Sequence, residues 1–198
     1  MDDVLNEFTD HFVRLHYERT GETLVFDIWD LHEKSEHGLA IWDTMKVKDF
    51  FYDAPVQEGV HLLFKFLEVN SSVFDFKIVS SYYGDCDKAY EDTKRQKIAW
   101  LSKHFKNNDL IERFHLVRGS KQEHPADIIL DDHVNNMTGD KLKILYQRKH
   151  NTWFKSTNDD PTILTNIDTL PKVVSLLRDV VVEGSVERYM ENKLGIDI

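Results

Sequence analysis

The chain has little cysteine, proline or glycine: one, four and eight residues respectively in 198. Cys86 alone excludes an intramolecular disulfide and fits a reducing compartment, so a cytoplasmic location is expected. With no cysteine pair and no His-x-x-x-His spacing, the ten histidines do not suggest a zinc site. No apolar run approaches the length of a membrane span, and the first residues show no charged-then-apolar signal pattern. Low-complexity tracts, internal repeats and linkers are also absent. Positive charge is in deficit. The net charge of −10 sets the surface as a whole against polymeric nucleic acid and anionic membrane. A small anionic substrate remains compatible with that field where cations and a metal ion cluster locally.

What is present is an ordinary globular composition, 41% hydrophobic and 30% charged, long enough for one buried core and a small accessory element. Val4, Leu5, Phe8, Phe12 and Leu15 recur at helical spacing and predict a helix over 3–18, stopped by Thr20-Gly21. Residues 23–52 are aromatic-rich and broken. Pro55 and Gly59 bracket the start of a second helix carrying Leu62, Leu63, Phe66 and Leu67, and Asn70-Ser71-Ser72 turns the chain. Short strands are predicted at 74–80, 114–117, 128–130 and 142–146, with a helix at 89–105. Asp168-Thr169-Leu170-Pro171 starts a last helix, whose apolar face is Val173, Val174, Leu177 and Val181. Alternating short strands and helices predict an α/β fold with a mainly parallel sheet, in which ligands sit beyond the carboxyl ends of strands.

Four patches could carry chemistry. Asp2-Asp3 precedes the first helix and reads either as a helix cap or as catalytic carboxylates. Ser80-Ser81 follows a predicted strand, where a hydroxyl either donates to phosphate or starts a turn. Lys97 lies on a helix, either solvated or serving as a point cation for phosphate. Asp131-Asp132 closes the strand Ile128-Ile129-Leu130; two adjacent carboxylates there repel unless a hard cation such as Mg2+ relieves them, which makes this the most specific of the four.

In chain order these are an acidic start, strand-Ser, Lys, and strand-Asp-Asp. That order resembles the phosphatases of the haloacid dehalogenase superfamily, and most closely the 5′(3′)-deoxyribonucleotidase branch. Met1-Asp2-Asp3-Val4-Leu5-Asn6-Glu7-Phe8 is similar to that branch's D-M-D-G-V-L-A-D-F-like opening from its second residue onward, with Asp3 where glycine is commonest. Phe50-Phe51-Tyr52-Asp53-Ala54-Pro55 resembles its F-F-x-D-x-P segment, Ile78-Val79-Ser80-Ser81 its strand-Ser motif, and Lys97-Ile98-Ala99-Trp100-Leu101 its K-x-x-W helix. Asp127-Ile128-Ile129-Leu130-Asp131-Asp132, six residues after Lys121, resembles its D-h-L-I-D-D strand, and Trp29-Asp30-Leu31 its W-D-L cap segment. The resemblance spans roughly residues 1 to 155.

The resemblance implies a Rossmann-like haloacid dehalogenase core from 1–17 and 53–155, a small helical cap at 18–52, and a C-terminal helical extension, 156–198, packed on the core. It implies hydrolysis of (deoxy)nucleoside monophosphates through a phosphoaspartate. Asp2 would match the second aspartate of D-x-D, the general acid and base. The nucleophilic aspartate, and the apolar strand leading to it, are then expected immediately before Met1. Ser80, Ser81 and Lys97 would hold the phosphoryl oxygens, with Lys121 assisting. Asp2, Asp131 and Asp132 would supply ligands to Mg2+, and Phe50, Phe51 and Trp29 would stack on the base. The small-molecule nucleotide is the expected partner, and a homodimer is allowed. The rival readings are a catalytically inactive nucleotide- or phosphate-binding homologue, and a related phosphatase acting on another phosphomonoester.

Overall fold

The computed structural model describes residues 1–24, 50–82, 86–106, 109–119, 121, 124–137, 142–154 and 160–196. They fall into two compact units, one formed by 1–57 with 77–121 and the other by 58–76 with 122–198. Most of the expected cap, Trp29 included, lies outside the described residues.

In the first unit, β1 (Ile78–Tyr82) and β2 (Phe114–Arg118) pair in parallel, Ile78 opposite Phe114 and Tyr82 opposite Arg118. The crossover between them carries an 18-residue helix, Asp87–His104. Its buried positions Thr93, Gln96, Lys97, Trp100 and Leu101 recur every three or four residues, which makes one inward stripe. The opening helix α1 spans Phe8–Thr20 and stops at Gly21, whose φ of 75° lets its N–H turn back to the Tyr17 carbonyl. A one-turn helix α2, Phe50–Asp53, lies against the long helix, designated α4. Gln96 Oε1 accepts from the Phe51 N–H at 3.1 Å, and Trp100 Nε1 donates to the Ala54 carbonyl at 2.6 Å.

Residues 3–7, expected to be helical, are not. Asp3 sits at φ 55°, in the left-handed region. Its Oδ1 accepts from the Thr9 N–H at 2.8 Å and its Oδ2 from the Thr9 hydroxyl, so it satisfies donors in the first turn of α1. Val4 and Leu5 are buried without being helical.

In the second unit, β3 (Ile128–Asp131), β4 (Leu142–Tyr146) and β5 (Ile163–Ile167) form a parallel sheet in the order β3-β4-β5. Every residue of the central β4 is buried. β5 lies within 156–198, so that stretch supplies a strand as well as helices. The helices α3 (Val60–Val69) and α6 (Leu170–Glu183) pack together through Val60, Leu63, Phe64 and Leu67 on one side and Leu170, Val173, Val174 and Leu177 on the other. Two further one-turn helices are α5 (Asp109–Glu112), in the first unit, and α7 (Val186–Tyr189), in the second.

Both sheets are parallel, as an α/β fold requires.

Gly59, before α3, has φ 87°, and a Cβ there would lie 2.9 Å from Pro171 Cδ and 3.0 Å from Leu170 Cβ. Left-handed backbone costs a non-glycine residue about 1–2 kcal/mol, and overpacking adds about 1–3 kcal/mol. Gly59→Ala is therefore expected to destabilise the protein by about 2–5 kcal/mol in urea denaturation; a change under about 0.5 kcal/mol would show that the close approach is not enforced.

Candidate functional site

The strand expected at 74–80 is displaced to Ile78–Tyr82, so both serines lie inside β1 rather than beyond it. Successive strand residues face opposite ways, and the two serines separate accordingly. Ser80 is 1% exposed and points to Lys97, whose Nζ lies 2.6 Å from the Ser80 hydroxyl. Ser81 takes no part in that contact, and its Oγ is buried with no hydrogen-bond partner among the described residues.

Lys97 is not the solvated helical lysine of the simpler reading. It is 1% exposed, in the inward stripe of α4. Its Nζ reaches Asp2 Oδ2 at 2.5 Å as well as Ser80, and stands 4.5 Å from the centroid of the Phe51 ring. Asp2 is brought to this point by the backbone: the Met1 nitrogen donates to the Val79 carbonyl of β1 at 3.4 Å. The Ser80 hydroxyl also donates to Asp2 Oδ2, at 3.4 Å. The other oxygen, Asp2 Oδ1, is buried and accepts no hydrogen bond among the described residues. With Asp3 occupied in capping α1, the two adjacent carboxylates have separate tasks.

Burial alone would raise the Asp2 carboxyl. The Lys97 ammonium beside it leads the charges, Lys121 among them, that hold it below its ordinary value. Burial pushes the Lys97 amine down, Asp2 pulls it back up in part, and Lys121 adds to the lowering. Lys121, half-buried, thus acts on both charges through its field.

Phe50 and Phe51 are 4% and 8% exposed and belong to an apolar cluster with Phe12 and Leu24. The Phe8 ring stacks on Phe51 at 5.4 Å, and the His11 ring stacks on Phe50 at 4.7 Å. Both phenylalanines are interior to the first unit, with Phe51 forming the floor under the Lys97 ammonium.

Asp131 and Asp132 lie in the second unit, at the carboxyl end of β3. Their side chains differ in use. Asp131 Oδ1 accepts from the His133 N–H and from Asn136 Nδ2, both at 2.9 Å, and so shapes the turn. Asp132 is 2% exposed, and its Oδ2 lies 3.1 Å from His150 Nε2. Asn151 Nδ2 donates to the Asp132 carbonyl and to the Tyr146 carbonyl, each at 2.8 Å. His150 and Asn151 escaped the sequence reading. The signal for them in the sequence is their place just beyond the carboxyl end of the predicted strand Leu142–Tyr146.

Among the described residues, no helix is long and apolar enough to cross a membrane. Neither the models of known protein families nor the curated protein sequences give a match to this chain.

Proposed function

We propose that the chain is a haloacid dehalogenase-type phosphatase hydrolysing (deoxy)nucleoside monophosphates. The observation that carries the reading is the meeting of Asp2, Ser80 and Lys97, three residues far apart in the chain, each singled out by a different motif, within 2.5 to 2.6 Å of one buried ammonium. A lysine held inside a protein by one carboxylate and one hydroxyl is a ready cation for a phosphoryl oxygen. The left-handed φ of Asp3, at 55°, adds support, because the resembled branch most often has glycine there and aspartate tolerates that backbone.

In this reading the attacking carboxylate belongs to an aspartate preceding Met1, and attack forms a phosphoaspartate. Asp2 protonates the leaving nucleoside oxygen and then takes a proton from the hydrolytic water; its open Oδ1 is the atom free to do so. Lys97 and Ser80 hold the phosphoryl oxygens. Of the two adjacent aspartates, Asp132 is the better magnesium ligand: its Oδ2 is buried without a hydrogen bond, whereas Asp131 Oδ1 is already shared by two donors. Magnesium, when bound, supplies positive charge against the charge developing on the phosphoryl group.

The test is the chain preceded by its natural upstream residues, assayed for phosphate release from a panel of nucleoside monophosphates, a sugar phosphate and p-nitrophenyl phosphate. Expected are saturable hydrolysis of the nucleotides, loss with EDTA, and an acid-stable phosphoenzyme. Nucleotide binding without hydrolysis would favour the inactive homologue, and hydrolysis of the other esters alone would overturn the nucleotide assignment.

A further inference from the structure

The imidazole of His150 has no part in the chemistry proposed above, yet its Nε2 lies 3.1 Å from Asp132 Oδ2. β3 and β4 are adjacent and parallel, so the loops leaving their carboxyl ends run side by side. Asp132 directly follows β3, and His150 lies in the short 3₁₀ turn Lys149–Asn151 that follows β4. Asn151 locks the two loops together. Its Nδ2 holds the Asp132 and Tyr146 carbonyls, and its Oδ1 accepts from the Arg148 N–H at 2.8 Å. Trp153 Nε1 donates to the His150 carbonyl at 3.1 Å, fixing the turn from the other side.

Held in this way, Asp132 Oδ2 and His150 Nε2 stand 3.1 Å apart with side chains 2% and 5% exposed. Asp132 Oδ2 accepts no hydrogen bond among the described residues. A buried carboxylate oxygen and a ring nitrogen 3.1 Å apart, held at the ends of neighbouring strands, have the spacing of two atoms that share one ion. Two ligands bound side by side to one divalent ion, each at about 2.1 Å, are about 3.0 Å apart.

We propose that Asp132 Oδ2 and His150 Nε2 are two ligands of one divalent-metal position, and that His150 tilts its preference from Mg2+ towards nitrogen-accepting ions such as Mn2+ or Co2+. Magnesium favours all-oxygen sites and gains little from imidazole, whereas the later first-row ions gain much. The proposal rests on the phosphatase reading in taking Asp132 as the metal carboxylate.

Pulsed electron paramagnetic resonance of the metal-free full chain titrated with Mn2+ tests it. The expected result is one bound Mn2+ with nitrogen coupling from a single imidazole. His150→Gln should abolish the coupling and weaken Mn2+ affinity by about tenfold or more, while Mg2+ affinity, measured by competition, falls by less than about threefold. His133→Gln, in the loop after β3, should keep the coupling. No Mn2+ binding, a Mn2+ complex without nitrogen coupling, or coupling that survives His150→Gln would overturn the proposal; so would its loss in His133→Gln, a variant that also decides the matter should His150→Gln not fold. Phosphate release by the upstream-extended chain in Mg2+ separates this from the phosphatase reading. Hydrolysis without nitrogen coupling overturns the His150 assignment alone, and coupling without hydrolysis overturns the phosphatase reading alone.

Discussion

Lys97→Met is expected to lower kcat/KM for nucleoside monophosphate hydrolysis by about 10²–10³-fold in the chain carrying its upstream residues, an effect on the order of 3–4 kcal/mol. The lysine is 1% exposed and already held 2.5 Å from Asp2 and 2.6 Å from Ser80, so its charge needs no reorganisation when a phosphoryl group arrives. Methionine keeps the length and the contact with the Phe51 ring while removing the charge and the three donors. Lys97→Arg should not rescue. The guanidinium is broader than an ammonium, and a fully buried position between Asp2, Ser80 and Phe51 leaves its extra donors unsatisfied. The split between constants matters: a larger effect on kcat than on KM indicates a cation used in the transition state, whereas an effect confined to KM would assign Lys97 to substrate binding. Activity within about threefold of wild type for either variant would remove Lys97 from the catalytic role.

The parts of the fold legible in the sequence are those whose apolar residues answer to their own element. β4 was expected at 142–146 and forms there, every residue buried. Phe74 and Phe76 misled because their rings answer to another element: they lie beside Phe66 and Phe64 of α3, at 6.1 and 6.0 Å, while the strand itself begins at Ile78. Val4 and Leu5 misled in the same way, buried in a segment whose conformation Asp3 dictates rather than periodicity. β5 was missed because Thr165 and Asn166 dilute its apolar pattern; its place beside β4, not its composition, makes it a strand.

The candidate site divides similarly. Lys97 was legible on its helix, since Thr93 lies four residues before it and Trp100 and Leu101 three and four after, on the same inward stripe. Its meeting with Asp2 and Ser80 was reached only through the order of motifs. That Asp3 takes left-handed backbone and accepts from Thr9 is visible only in the structure, as is the separation of Ser80 from Ser81, which turns on where the strand begins. His150 carried no motif; it becomes visible only when β3 and β4 are known to be neighbours.

Asp2→Asn should destabilise the protein by about 3–5 kcal/mol near neutral pH, because it strands the Lys97 ammonium in the interior. The lower end is the more apt, since the Asp2 side chain is 21% exposed and water already screens part of the pair, whereas that of Lys97 is 1% exposed. The pH dependence gives the loss a direction. Asp2 is held below its ordinary value in the folded protein, so its stabilisation is complete above the unfolded value of 3.8 and disappears as pH falls through the lower folded value. Wild type should therefore lose stability in acid through this carboxylate, and Asp2→Asn should not show that component. Lys97 is also lowered, from 10.5, and loses its main support in the variant. The unfolded chain then holds its proton over a range where the folded one has released it, so the stability of Asp2→Asn should rise with pH towards the ordinary lysine value. Urea denaturation from about pH 2 to about pH 10 reads both slopes. Adding Lys97→Met to Asp2→Asn removes the stranded charge, and the double variant should be more stable than Asp2→Asn itself, with a coupling of about 1–3 kcal/mol. Additive losses and a flat pH profile would mean that the two groups do not share one buried charge balance.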